Sequence, residues 1–107
     1  MKTNESEAVR EFVTRVRQLL GSRLVGVKLF GSKARGDDTP ESDIDILVEV
    51  ETASVALEDA VLDIAFDVNL DQAVYISPRV IARAVFNDPV WSTTPFIRAL
   101  EHEGIPL

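Results

Sequence analysis

Leu29-Phe30-Gly31-Ser32-Lys33-Ala34-Arg35-Gly36 and, after a polar link, Ser42-Asp43-Ile44-Asp45-Ile46-Leu47-Val48 are the residues whose reading decides the fold. The two ends read as short apolar strands. The link between them is rich in glycine, charge and turn formers. Successive side chains of a strand point to opposite faces, so Asp43 and Asp45 share one face while Ile44, Ile46 and Val48 share the other. Two carboxylates on one strand face raise each other's pKa, and burial adds to the cost. A bound magnesium ion would reverse that cost, because hard cations take oxygen ligands. Gly31 and Ser32 offer what a phosphate needs: a bare backbone, an N–H and a hydroxyl. A short helix opening at Lys33 would add a further anion site.

Working outward, Asn4 and Glu7 form a capping-box pattern that opens a helix. Val9, Phe12, Val13, Val16, Leu19 and Leu20 then recur at helical spacing until Gly21. Arg10, Arg15 and Arg17 fall off that stripe and read as solvated surface. Leu24 to Phe30 is a strand, with Val25, Val27 and Leu29 on one face and Gly26 marking close packing or a bulge. In the link from Lys33 to Ser42, Asp37, Asp38 and Glu41 surround Thr39-Pro40 and read as a flexible charged loop rather than as extra metal ligands. Arg35 has two readings, a contact to a nucleotide phosphate or a pairing with these acids. The second strand runs from Asp43 to about Val50. An amphipathic helix follows through Leu57, Ala60, Val61, Ile64, Ala65 and Val68, with Asn69 and its polar successors ending it. Ala73 to Ser77 reads as a third strand, with Tyr75 covering a helix. Ser77-Pro78 then reads as a cap and first-turn proline opening a helix through Ile81, Ala84 and Val85, and Thr94-Pro95 repeats the device for a last helix that Gly104 closes. Trp91 reads as a lid on the core. The order of elements fits an α+β domain, a small mixed β-sheet covered by helices on one side.

The 107 residues suffice for one compact domain, 1–107, and not for two. No apolar run approaches the ~20 residues of a membrane span. The polar, acidic N-terminus is not a signal peptide, and cysteine is absent, so a cytoplasmic protein without membrane association is expected. Eighteen acids against eleven bases give a net charge of −7. That opposes a nucleic-acid partner, which is held by clustered Lys and Arg, and favours a protein partner with a basic face.

Gly31-Ser32, ten residues, then Asp43-Ile44-Asp45-Ile46 resembles the core of the polymerase-β-like nucleotidyltransferase superfamily. The fuller form, Gly31-Ser32-Lys33-Ala34-Arg35-Gly36 through Ser42-Asp43-Ile44-Asp45, resembles its smallest branch, the minimal nucleotidyltransferases. The later Ile76-Ser77-Pro78-Arg79-Val80 and the ending Glu103-Gly104-Ile105-Pro106-Leu107 are similar to one subgroup of that branch. The resemblance implies the same α+β fold and a Mg2+-dependent transfer of a nucleoside monophosphate, AMP from ATP, to a protein hydroxyl. It implies Asp43 and Asp45 as catalytic metal ligands, with Gly31 and Ser32 holding the terminal phosphates; Arg35 and Ser42 are the further candidate nucleotide-binding residues. It further implies a small helical partner of the HEPN type, with this chain as the antitoxin of a toxin–antitoxin pair.

Larger relatives carry a third catalytic carboxylate on a neighbouring strand, and Ala73 to Ser77 contains no acid. Glu49 lies on the face of Asp45 but roughly 13 Å further along the strand. Asp71, just before the third strand, is the expected third catalytic acid, its other reading being a turn residue. The departure leaves a second function open: an interaction module that neutralises a partner by binding, with a weak or vestigial active site.

Overall fold

The computed structural model describes residues 1–39 and 42–107, so Pro40 and Glu41 of the expected acidic loop lie outside the described residues. Its elements in chain order are α1 (Thr3–Leu20), β1 (Leu24–Phe30), α2 (Gly31–Arg35), β2 (Ile44–Val50), α3 (Val55–Gln72), β3 (Ile76–Ala82), α4 (Arg83–Asn87), α5 (Pro95–Glu103) and β4 (Ile105–Pro106), with 3-10 turns at Gly21–Arg23 and Trp91–Thr93. The strands form one mixed sheet ordered β3-β2-β1-β4. β1 pairs antiparallel with β2 and β4, while β2 and β3 are parallel. A parallel neighbour needs a crossover, and α3 supplies it.

β2 occupies the centre, and its sequence shows why. Ile44, Ile46, Leu47, Val48 and Val50 are all buried, the near-continuous apolar run of a strand covered on both faces. On one face, Ile44, Ile46 and Val48 meet Phe12 and Val16 of α1 and Val61 and Val68 of α3 in the main core. On the other face, Leu47 packs with Ile97 and Leu100 of α5, ringed by Phe30, Ile81, Val85 and Phe86. The two long helices thus cover one side, as the pattern predicts, and α5 seals part of the other. Gly26 does mark a bulge. The pairing slips between Leu24 and Gly26, leaving Val25 unpartnered and turned to solvent instead of sharing a face with Val27.

Five local expectations change. α1 starts at Thr3, and Glu5 rather than Glu7 reaches back to the N-terminal backbone, its Oε1 accepting the Lys2 N–H at 3.0 Å. α3 runs past Asn69 to Gln72 and ends at Ala73, a non-glycine residue with φ of 53°. Asn69 still terminates the segment, but through its amide, which accepts from Ile76 N at 2.8 Å and donates to Ile76 O at 3.1 Å. Finally, Ser77-Pro78 does not open a helix. It continues β3 to Ala82, with Pro78 opposite Ile46. A proline is tolerated there because β3 is an edge strand, and the β-branched Val80 and Ile81 suit a pleated surface. Tyr75, expected to cover a helix, is exposed, and Trp91 is more exposed than a core lid would be.

Candidate active site

β1 and β2 bring the motif together through their register, with Phe30 paired to Asp45. The next residue, Gly31, turns the chain into α2 with φ of +72°. This places its Cα directly against the Asp45 carboxyl group. A Cβ built on Gly31 would collide with Asp45 Oδ2 and lie 3.2 Å from Cγ. Gly36, at φ of +82°, ends α2 by donating its N–H to Ser32 O. Across the turn, Ser42 closes the approach to β2. Its Oγ accepts the Thr39 N–H at 2.9 Å, and its own N–H donates to Thr39 O at 3.0 Å. Asp43, exposed, precedes the strand, and Asp45, half-buried, is its second residue, close enough for the two charges to interact.

Asp45 has its pKa raised, first by burial and then by the Asp43 charge, against the opposing pull of Arg79 and Arg35. Arg79, to which the sequence reading gives no role, is one side chain that the structure adds beside Asp45. Read as a helical residue, it lies instead on β3 opposite Leu47, one alternation beyond Ser77, which pairs with Asp45. The two therefore share the Asp45 face. Its guanidinium sits 5.4 Å from the centre of the Phe96 ring, which meets Phe30 edge-on at 6.2 Å. Arg35 pairs with Asp37 at 3.2 Å and, on α5, with Glu103 at 3.3 Å. Pairing with the nearby acids is thus how Arg35 sits in this structure, and the exposed guanidinium remains on the Asp45 side of the fold.

The other missed residue is Lys33. Its side chain is only 2% exposed, and its Nζ lies 3.1 Å from Glu5 and 3.0 Å from Asp38. The expected charged loop is therefore anchored at Asp38, and the same lysine ties the Gly31-Ser32 turn to the start of α1. Burial works against the Lys33 charge, but Asp38 and Glu5 outweigh it and raise its pKa. The only sequence signal was a lysine within two residues of the Gly-Ser turn, followed by an acid five positions on.

Asp71 is not brought to this site. It lies on the last turn of α3, where with Glu11, Arg15, Asp67 and Leu70 it borders a groove of 520 Å³. Among the described residues, no three His, Cys, Asp or Glu side chains gather where they could hold a metal ion. The positions flanking Asp45 on its own face are Phe30 and Ser77, so neither adjacent strand contributes an acid. Two carboxylates nevertheless fit magnesium, which is held through one or two protein carboxylates while waters and substrate phosphates complete its shell.

A family model described as "Nucleotidyltransferase domain" matches residues 9–98. The Methanocaldococcus jannaschii protein named "Putative protein adenylyltransferase MJ0604" is 37% identical over 102 residues, covering 94% of this chain and 95% of that one. A second protein of the same organism, "Putative protein adenylyltransferase MJ0141", is 32% identical over 100 residues, covering 92% and 94%. Among solved structures, one described as a "putative minimal nucleotidyltransferase" superposes over 100% of this chain and 97% of its own with a TM-score of 0.60 and 26% identity. A chain of the toxin–antitoxin complex MntA–HpeT shares the fold, with a TM-score of 0.54 and 13% identity over 88% of this chain and 68% of that one.

Proposed function

The chain belongs to the nucleotidyltransferase domain family, and from that premise we propose that it transfers AMP from ATP to a hydroxyl of a partner protein. The observation that carries the reading is the contact between the Gly31 backbone and the Asp45 carboxyl, with Asp43 beside it. A phosphate-binding turn and a pair of metal-binding carboxylates meet there, and two arginines stand on the same side. Asp43 and Asp45 would hold Mg2+, which when bound neutralises phosphate charge and lowers the pKa of a coordinated hydroxyl.

The chain's own residues then have distinct tasks. Gly31 and Ser32 seat the terminal phosphates, Ser42, tied to Thr39, leads into Asp43, and Arg79 faces charge that develops at the α-phosphate. Arg35 can exchange Asp37 and Glu103 for a phosphate, since exposed pairs of this kind are worth little. In the reaction, a bond forms between the acceptor oxygen and the α-phosphorus. The bond from that phosphorus to the α–β bridging oxygen breaks, pyrophosphate leaves with that oxygen, and the hydroxyl proton passes to solvent. Two observations support a protein acceptor: the relatives are named as protein adenylyltransferases, and the motif of this chain resembles that of the minimal nucleotidyltransferases, which implies a small helical HEPN-type partner. The absence of an acid at Phe30 and Ser77 favours a second reading, in which the domain neutralises that partner by binding alone.

Transfer of label from α-labelled ATP and Mg2+ to the purified partner distinguishes the two. Labelled partner that disappears with Asp43→Asn/Asp45→Asn supports the enzyme. Silencing of the partner by wild type and double variant alike, without label, supports the binder. ATP binding that is unchanged in the double variant would overturn the site assignment itself.

A further inference from the structure

α3 carries apolar residues on two faces, and only one of them is used. Leu57, Val61, Ile64, Ala65 and Val68 enter the core. On the outward side, Leu62, Phe66 and Leu70 are 51%, 63% and 71% exposed. They recur every four residues and so form one continuous stripe along the helix. The charge carried by the helix itself has one sign: between Val55 and Gln72 there are five acids and no base, while Arg15 and Arg79 of neighbouring elements border the ends of the stripe beside Leu70 and Leu62. Asp59 falls within the stripe by helical angle, and Asp63 lies along its edge. Among the described residues, only Asp67 of these acids is ion-paired, to Arg15 at 3.2 Å.

We infer that this outward face of α3 is a docking surface for another protein, and that its occupant presents an apolar ridge edged with Lys and Arg. A contiguous exposed apolar stripe of this kind marks an interaction site, and its charge selects the partner. A second copy would set two uniformly acidic helices against each other in a chain of net charge −7, so self-association is opposed. An anionic membrane surface is excluded by the same sign. An amphipathic helix lying along the stripe would make contacts at every fourth residue, with its basic edges opposite Asp59 and Asp63. The inference goes beyond the proposed transfer reaction and does not depend on it, because none of Asp59, Leu62, Asp63, Phe66 and Leu70 is assigned a role at the site around Asp45, although Arg79 borders Leu62.

The test uses two synthetic helical peptides of about 18 residues, matched to the length of α3. They share one leucine stripe, edged with Lys and Arg in the first peptide and with Glu in the second. Fluorescence anisotropy is measured without nucleotide, at low and high salt. The basic peptide is expected to bind and the acidic one not, with binding weakened by salt. Leu62→Ser/Phe66→Ser, which leaves the charge unchanged, and Asp59→Asn/Asp63→Asn, which leaves the stripe intact, should each weaken it about tenfold or more. Thermal melts check that the variants fold, and amide shift mapping on the wild-type chain locates the peptide independently of any variant. Failure of the basic peptide to bind overturns the inference, as does binding that survives the serine pair. Sedimentation showing a dimer lost in the serine pair would assign the face to a second copy, and binding to vesicles of anionic lipid would assign it to a membrane; either result overturns the inference.

Discussion

At Gly31 two demands coincide on one backbone position: a positive φ of 72° and direct contact with the Asp45 carboxyl group. A side chain at Gly31 would therefore strike the fold before it struck any nucleotide. Gly31→Ala should destabilise the apo protein by about 1–2 kcal/mol from the left-handed backbone alone, with the Asp45 collision added. Chemical denaturation of Gly31→Ala, Asp45→Ala and the double variant checks this, since the second substitution should recover part of the first one's loss. Additive losses would show that the two residues do not meet as described. Asp45 carries its own signature. Its folded pKa is raised, chiefly by burial and by Asp43, so its contribution favours folding while it is protonated and is lost as pH rises through that raised value. Asp45→Asn should thus make the apo protein more stable at neutral pH, by less than about 1 kcal/mol given the solvent screening of a half-exposed group. The gain should vanish in acid. A pH series of melts in which wild type and variant stay parallel would remove the basis for the shift.

At the scale of elements, α1, α2 and the loop after it are held together by one buried lysine. Lys33→Met leaves Glu5 and Asp38 facing each other without a cation, at a cost of about 2–4 kcal/mol. The acid side of this network also has a defined sign. Asp38 is lowered from 3.8 first by Lys33. Glu5 is lowered from 4.5 although burial opposes it, because the Lys2 N–H and Lys33 outweigh that burial. Their stabilisation is complete above those ordinary values and is lost as pH falls through the lowered ones. The Lys33 share persists up to 10.5 and is lost as pH rises through its raised value. Urea melts across both ranges should show the wild type approaching Lys33→Met at the acid extreme; a constant gap would place the stabilisation elsewhere. α3 offers a simpler test. Its terminator, Ala73, sits at φ of 53°, where glycine is the favoured residue. Ala73→Gly should stabilise by about 0.5–1 kcal/mol, and a lower melting temperature would contradict that backbone assignment. These details were not legible in the sequence, because the deciding partners are remote. Lys33 looks like any loop lysine until α1 places Glu5 beside it. Ser77-Pro78 fits a helix start as well as an edge strand, and only the sheet order decides between them.

Across the whole molecule, alternation and periodicity were enough to find β1, β2, α1 and α3 and to bring the charges of Asp43 and Asp45 together. They could not say what flanks Asp45, because that depends on the length and direction of β3. Reading β3 to its true end at Ala82 replaces a search for an acid before the strand with a definite position within it: Ser77, paired with Asp45. Two outcomes follow. Asp71→Ala should leave nucleotide binding and any AMP transfer unchanged, since Asp71 lies among the residues of the α1–α3 groove; a loss of transfer would restore it as the third acid. Ser77→Asp should do the opposite, by placing a third carboxylate next to Asp45 on the face that two acids already share. Without metal, the added like charge should lower the melting temperature. Added Mg2+ should then raise it by more in the variant than in wild type, because binding to the folded state alone stabilises in proportion to affinity. If AMP transfer also rises, the missing carboxylate is what limits this domain as an enzyme. A melting temperature that Mg2+ shifts equally in both proteins would show that Ser77 does not flank a metal site, and one that Mg2+ shifts in neither would remove the assignment of the Asp43 and Asp45 face to metal-dependent chemistry.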